Sequence, residues 1–162
     1  MKATTFFWLA GALALSACGS DTEAVDDTQI AVSEPLNAES AVQAIEKSWW
    51  SGSAEEAMQY YADDAVLFST GQAEPIRDRN KVASDLGAFF TMNPDDFTIE
   101  DRTLQELDRD TAVWSGIVRF TADVGSGRDV LSARFTQVLH RMEDGSWKIV
   151  HEHMSIPPAS AG

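Results

Sequence analysis

Two histidines spaced to share one face of a strand, His151 and His153, are the groups in this sequence best suited to acid–base chemistry. Arg134, on the stretch before them, supplies a planar guanidinium of the kind that holds a carboxylate or a carbonyl oxygen. In a pocket, either imidazole could serve as general base or hydrogen-bond donor while Arg134 anchors the ligand. The competing structural reading pairs Arg134 with a helix carboxylate and the histidines with backbone and Ser155, because buried polar groups need partners whether or not a ligand exists.

These residues must be positioned by Val130–Ser155, VLSARFTQVLHRMEDGSWKIVHEHMS, which reads as two long strands around a turn at Glu143-Asp144-Gly145-Ser146. A loop of two or four residues pairs Met142 with Trp147. It then sets His140 opposite Ile149, Val138 opposite His151, Thr136 opposite His153 and Arg134 opposite Ser155. Strict alternation collects Trp147, Ile149, Val138 and Met142 at the turn end of one face, and His151, His153, Thr136, Arg134 and Ser155 beyond them. This face is expected to be a core grading into a polar patch. The other face mixes Phe135, Leu139, Val150 and Met154 with Gln137, Arg141, Lys148 and Glu152, and reads as half-wet surface or subunit contact. The register with Val118 opposite Arg134 is the expected one, because it collects the bulky Trp114, Val118 and Phe120, with Gly116, on the histidine face as an apolar wall; a slip of one residue would put them on the other.

Other groups carry less chemistry. The His-x-His pair would need a third converging ligand to hold zinc or iron; His140 lies too far along the strand and Arg134 would repel a cation, so no metal and no cofactor is expected. Asp63 and Asp64 are adjacent, point apart and read as a helix exit. Trp49 and Trp147 read as core, whereas Trp50 and Tyr60 lie off the helical stripes and suit a pocket mouth or a dimer contact.

The chain has 162 residues and a formal net charge of −14. So acidic a surface repels phosphate backbones, which argues against nucleic acid as partner. Lys2, the apolar run Phe6–Leu15 and Leu15-Ser16-Ala17-Cys18 resemble a bacterial lipoprotein signal, with residues 1–17 removed and Cys18 lipidated. Cys18 is the one cysteine, so no disulfide is available to the domain. Gly19, in place of aspartate, is similar to outer-membrane-sorted lipoproteins, which places the domain on the periplasmic side. Residues 18–36 are polar and acidic and suit a tether.

From Asn37 the chain gives one amphipathic helix ending near Gly52, a second opening at Ser53 with a capping-box pattern and carrying Tyr61 on its apolar face, and a short strand Ala65–Phe68. A third helix follows Asp78, with the stripe Val82, Leu86, Phe89 and Phe90. Asn93-Pro94 stops it, and strands follow over 97–107, 111–122 and the hairpin. Helices first and a meander after is an α+β order.

Two helices ending in YADDAVLF, a third helix and the closing RFTQVLHRMEDGSWKIVHEHMS resemble the SnoaL-like branch of the nuclear transport factor 2-like superfamily. The ending is also similar to the calcium/calmodulin-dependent kinase II association domain. The resemblance covers residues 37–157, leaving 158–162 as a tail. It implies a cone-shaped, curved antiparallel sheet whose concave face is covered by three N-terminal helices, a pocket, and often a homodimer through sheet surfaces. The superfamily includes isomerases, cyclases and dehydratases beside binding and assembly modules, so fold leaves the choice open. The expected function is binding of a small, partly apolar or carbonyl-bearing ligand by Arg134, Thr136, His151, His153, Ser155, Trp114 and Val118; the alternative is an isomerase, cyclase or dehydratase-type enzyme with His151 or His153 as base.

Overall fold

The computed structural model describes residues 37–157. The lipoprotein signal, Cys18, the tether and the tail lie outside the described residues. Among the described residues no helix is long and apolar enough to cross a membrane.

Helix α1 (Ala38–Trp50) starts where Asn37 Oδ1 accepts from the Ser40 amide at 2.8 Å, satisfying one of the amides a helix start leaves without partners. Its stripe Ala38, Ala41, Val42, Ile45 and Trp49 is buried. Helix α2 (Ala54–Met58) is capped by Ser53, which accepts from the Glu56 amide at 3.3 Å. It is shorter than expected, because strand β1 (Tyr61–Phe68) begins at Tyr61. Asp63 and Asp64 are therefore strand residues, and Asp63 pairs with Arg79 at 2.9 Å. Helix α3 (Arg79–Phe90) is capped by Asp78, which accepts from the Asn80 and Lys81 amides.

Strands β2 (Asp95–Glu106), β3 (Thr111–Asp123), β4 (Arg128–Arg141) and β5 (Trp147–Ser155) complete a curved five-stranded sheet in the order β1-β5-β4-β3-β2. The sheet is mixed, not antiparallel throughout: β1 runs parallel to β5 while the other pairs are antiparallel. The long path from β1 through α3 and the meander to β5 frees that pair from the hairpin constraint that makes its neighbours antiparallel.

The inner face is the one covered by the helices. Trp49 of α1 stacks on Trp114 with centroids 5.3 Å apart, and Phe135 meets the Trp114 ring at 4.6 Å. A second aromatic group, Phe89, Phe97 and Phe120, ties α3 to β2 and β3. Between these groups Gly116 faces inward, where an added Cβ would sit 3.0 Å from the Glu100 carbonyl oxygen and 3.2 Å from Phe135 Cε1.

The closing hairpin departs from the expected geometry twice. The Gly145 amide donates to Met142 O and the Met142 amide to Ser146 O, making a three-residue loop with Gly145 at φ 83°, a left-handed value glycine adopts without penalty. Trp147 consequently faces Arg141, not Met142, and His140 faces Lys148, not Ile149. Between the Val138↔His151 and Leu139↔Ile149 pairs the register shifts, leaving Val150 as an extra residue. Such a bulge reverses the facing of everything beyond it. The farther pairs, Thr136↔His153 and Arg134↔Ser155, keep their expected partners but turn to the other side of the sheet. The slipped alternative holds between β3 and β4, with Val118 opposite Ala133 and Ile117 opposite Arg134.

Candidate site: a buried carboxyl in a row across the sheet

The inward orientation expected for Arg134, Thr136, His151, His153 and Ser155 is corrected by the bulge. Arg134 and His153 are exposed, and His151, Thr136 and Ser155 are half-buried on the outer face. Phe68 of β1 packs against both imidazoles there, at 5.6 and 6.1 Å between ring centroids. Trp114 and Val118 are inside, but on the face opposite Arg134 and the histidines, not beside them as expected. Among the described residues no three His, Cys, Asp or Glu side chains are placed to hold a metal.

The polar groups inside come from the face that looked half-wet. One inward row crosses all five strands as Leu104, Trp114, Gln137, Glu152 and Leu67, each the Cα partner of the next. Gln137 and Glu152 are the largest departures from apolar character in it, and both are buried. The Tyr61 hydroxyl, from the start of β1, donates to Glu152 Oε2 at 2.7 Å, and Gln137 Nε2 donates to the same oxygen. Tyr61 is held from behind by Arg79, whose Nη1 donates to the Tyr61 carbonyl at 3.1 Å.

Burial pushes the Glu152 carboxyl above the usual glutamate range, against the opposing pull of the Gln137 and Tyr61 hydrogen bonds; the Asp85 charge adds to the rise. Burial likewise lifts the Tyr61 phenol well above its ordinary value, so it stays a neutral donor. A carboxyl kept protonated in an apolar enclosure can donate a hydrogen bond to a carbonyl or a developing oxyanion. Both described hydrogen bonds fall on Oε2. Two neighbouring atoms, Trp114 Nε1 and Gln137 Oε1, are buried with no protein partner.

Asp85, whose charge reaches Tyr61 and Glu152, lines a cleft of about 290 Å³ with Gln72, Ile76, Lys81, Ser84 and Ala88. The Gln72 carboxamide closes one side by donating to Asp85 Oδ1 at 3.3 Å. A larger cleft of about 530 Å³ lies between α1 and α2, lined by Trp50 and Tyr60 among others, and does not include the polar row. The two aromatics expected at a pocket mouth thus sit at a separate opening.

Tyr61, Gln137 and Glu152 were missed by sequence reasoning. The available signal was a glutamine lying opposite a glutamate while their strand neighbours on the same face were Phe135, Leu139 and Met154.

A family profile described as SnoaL-like domain matches residues 38–159. No curated relative matches the chain. Among solved structures, one from Xanthomonas campestris described as a calcium/calmodulin dependent protein kinase II association domain is 28% identical, with a TM-score of 0.65 over 73% of this chain and 84% of the other. A ketosteroid isomerase-like protein from Erwinia carotovora atroseptica is 17% identical, with a TM-score of 0.66 over 77% and 97%. The CaMKII hub of S. rosetta is 18% identical, with a TM-score of 0.59 over 76% and 99%.

Proposed function

The chain belongs to the SnoaL-like domain family, and from that premise we propose that its domain binds a small, uncharged, partly apolar molecule against Glu152. The observation that carries this reading is a fully buried carboxyl, raised in pKa by desolvation, set in an aromatic interior beside two unsatisfied polar atoms. An ionised ligand carboxylate is disfavoured there, because burial already penalises the charged form of Glu152 and the Asp85 charge raises its pKa further. A ligand carbonyl would accept from protonated Glu152, with Tyr61 fixing the carboxyl and Trp114 and Val118 supplying apolar wall. The solved relatives include a ketosteroid isomerase-like protein, and an enzymatic version of the same site would use Glu152, not a histidine, as proton donor.

The test uses acetophenone as a probe, with binding followed by thermal shift and by protein NMR. Binding is expected to be lost in Glu152→Leu and kept in His153→Ala; the reverse pattern would sink the reading. Deuterium exchange into the acetophenone methyl group, seen with the wild type and abolished in Glu152→Gln, would favour the enzyme.

The outer face supports an assembly role for the same domain. The outward positions of β4 and β5 hold no carboxylate, in a chain with 26 acidic residues, and they alternate Val130, Thr136 and Val138 with Arg134, His151 and His153. We assign this face to a homodimer contact, with Arg134, Thr136, His151, His153 and Ser155 as contact residues. The domain is proposed to sit on the periplasmic side, anchored to the outer membrane through lipid on Cys18; mass spectrometry of the native protein would show the acyl groups, and an unmodified N-terminus would refute the anchor.

A further inference from the structure

We infer that the cleft between α1 and α2 is a second binding site, independent of Glu152, for a zwitterionic molecule with an aromatic body, of which an aromatic α-amino acid is the plainest case. Its volume of about 530 Å³ falls within the range of roughly 300–1,000 Å³ that small-molecule pockets occupy. The gap stays open because α1 lines it with Ala44, Ser48 and Ser51, where longer side chains would close on α2. Both banks are fixed from behind. On the α2 side the Gln59 carbonyl accepts from Lys148 Nζ and the Tyr60 carbonyl from the Ile149 amide at 2.7 Å, which ties that bank to β5. On the α1 side Trp50 rests on Phe97 of β2, with ring centroids 5.7 Å apart. A ligand therefore meets walls that need little reordering.

The lining sets the chemistry. Trp50 remains 45% exposed although Phe97 lies against it, and Tyr60 lines the same void from the α2 side, so a flat ring entering the cleft gains aromatic contact. Lys47 of α1 and Glu56 of α2 bring opposite charges to that void. Neither forms an ion pair with the other or with any described residue. The floor is an acceptor surface. Ser48 donates its hydroxyl to the Ile45 carbonyl and Ser51 to the Ser48 carbonyl, both at 2.7 Å, so each oxygen is left with lone pairs to offer. The last turn of α1 adds the negative end of its dipole.

These features select a molecule charged at one end in both senses. An ammonium group is drawn to Glu56, the serine oxygens and the helix end, and a carboxylate beside it is drawn to Lys47. An aryl amine without the carboxylate brings its charge up to Lys47 uncompensated. An aryl carboxylate without the amine meets Glu56 and the carbonyl end of α1, and a neutral ring uses the aromatic walls alone. Lys47 and Glu56 are exposed, so water and salt weaken each contact and the selection is graded. Neutral acetophenone, the probe of the interior, gains nothing from these charges.

The experiment titrates the full-length protein with L-phenylalanine, phenethylamine and 3-phenylpropionate, the last two lacking the carboxylate and the ammonium in turn. Binding is followed by the indole N–H resonance of Trp50, assigned with Trp50→Phe. L-Phenylalanine is expected to bind about fivefold more tightly than either analogue at low salt, with the advantage shrinking as salt is added. Lys47→Gln should bring it level with phenethylamine and Glu56→Gln level with 3-phenylpropionate, while Trp50→Ala weakens all three about fivefold. Glu152→Leu should leave L-phenylalanine binding unchanged, which separates this site from the interior one. If phenethylamine or 3-phenylpropionate binds as tightly as L-phenylalanine, the zwitterion assignment is overturned. If none of the three moves the Trp50 resonance, or Glu152→Leu abolishes the response, the cleft is not the site.

Discussion

The Tyr61 hydroxyl donates to Glu152 Oε2 at 2.7 Å, joining the first residue of β1 to the middle of β5 across the parallel edge of the sheet. Because burial holds the Glu152 proton above the range where an unfolded chain would release it, the two states bind protons differently. The folded protein holds the extra proton, so this contribution to stability is fully present below the ordinary glutamate value and is lost as pH rises through the folded one. Glu152→Gln imitates the protonated acid and has nothing to lose. The melting temperature of the wild type should therefore fall relative to Glu152→Gln as pH is taken from about 4 to about 8. Thermal melts of both proteins across that range check the sign; a flat difference, or one opening in the other direction, would mean that Glu152 is ionised in the fold.

Gly116 occupies an inward position of β3 where Phe135 and the β2 backbone both close in. Glu100 O is backbone and does not rotate away, so Gly116→Ala must push β2 aside or displace Phe135. A loss of about 1–3 kcal/mol is expected, with the urea midpoint falling and the slope unchanged. A neutral or stabilising substitution would show that β2 yields at its bulge.

The fold was legible because its signals are local and agree with one another. Asn37 and Asp78 cap the helices they were expected to cap, and the Ala38, Val42, Ile45 and Trp49 stripe is buried as its spacing required. The site was not legible, since one residue decides it. Trp147 and Ile149 point inward as alternation demands, and unbroken alternation would carry His151 and His153 in with them. The bulge at Val150 sends them out and turns Glu152 in. A bulge depends on how a strand fits its two neighbours, here β4 and the parallel β1, and that fit has no signature in the strand itself. The sequence does pair Gln137 with Glu152, but on a face that hydrophobic counting left undecided.

Arg102 leaves β2 just after Asp101, whose φ of 50° marks the bulge that aims the guanidinium at α1. It holds Glu46 at 2.8 Å and Glu39 at 2.8 Å, the latter through two nitrogens. These groups are only partly shielded, so the clasp contributes modestly. Arg102→Gln should lower stability by about 1 kcal/mol or less at low salt, and the difference should shrink as ionic strength rises. Urea unfolding at two sodium chloride concentrations measures it; a loss that persists at high salt would assign Arg102 a packing role instead.

Val138 lies at the middle of the outer face, opposite Val113 on β3 and His151 on β5. If this face is the proposed contact between copies, a carboxylate placed there meets its own image across a two-fold axis, among β4 and β5 outward positions that otherwise hold none. Val138→Asp is expected to turn a dimer into a monomer in light-scattering chromatography while its circular dichroism and acetophenone binding stay unchanged, because Glu152 and its partners lie on the opposite face. A wild type that runs as a monomer at high concentration, or a variant that remains dimeric, would remove the outer face from the interface. Loss of acetophenone binding in a well-folded Val138→Asp monomer would instead show that the interior site depends on the partner subunit.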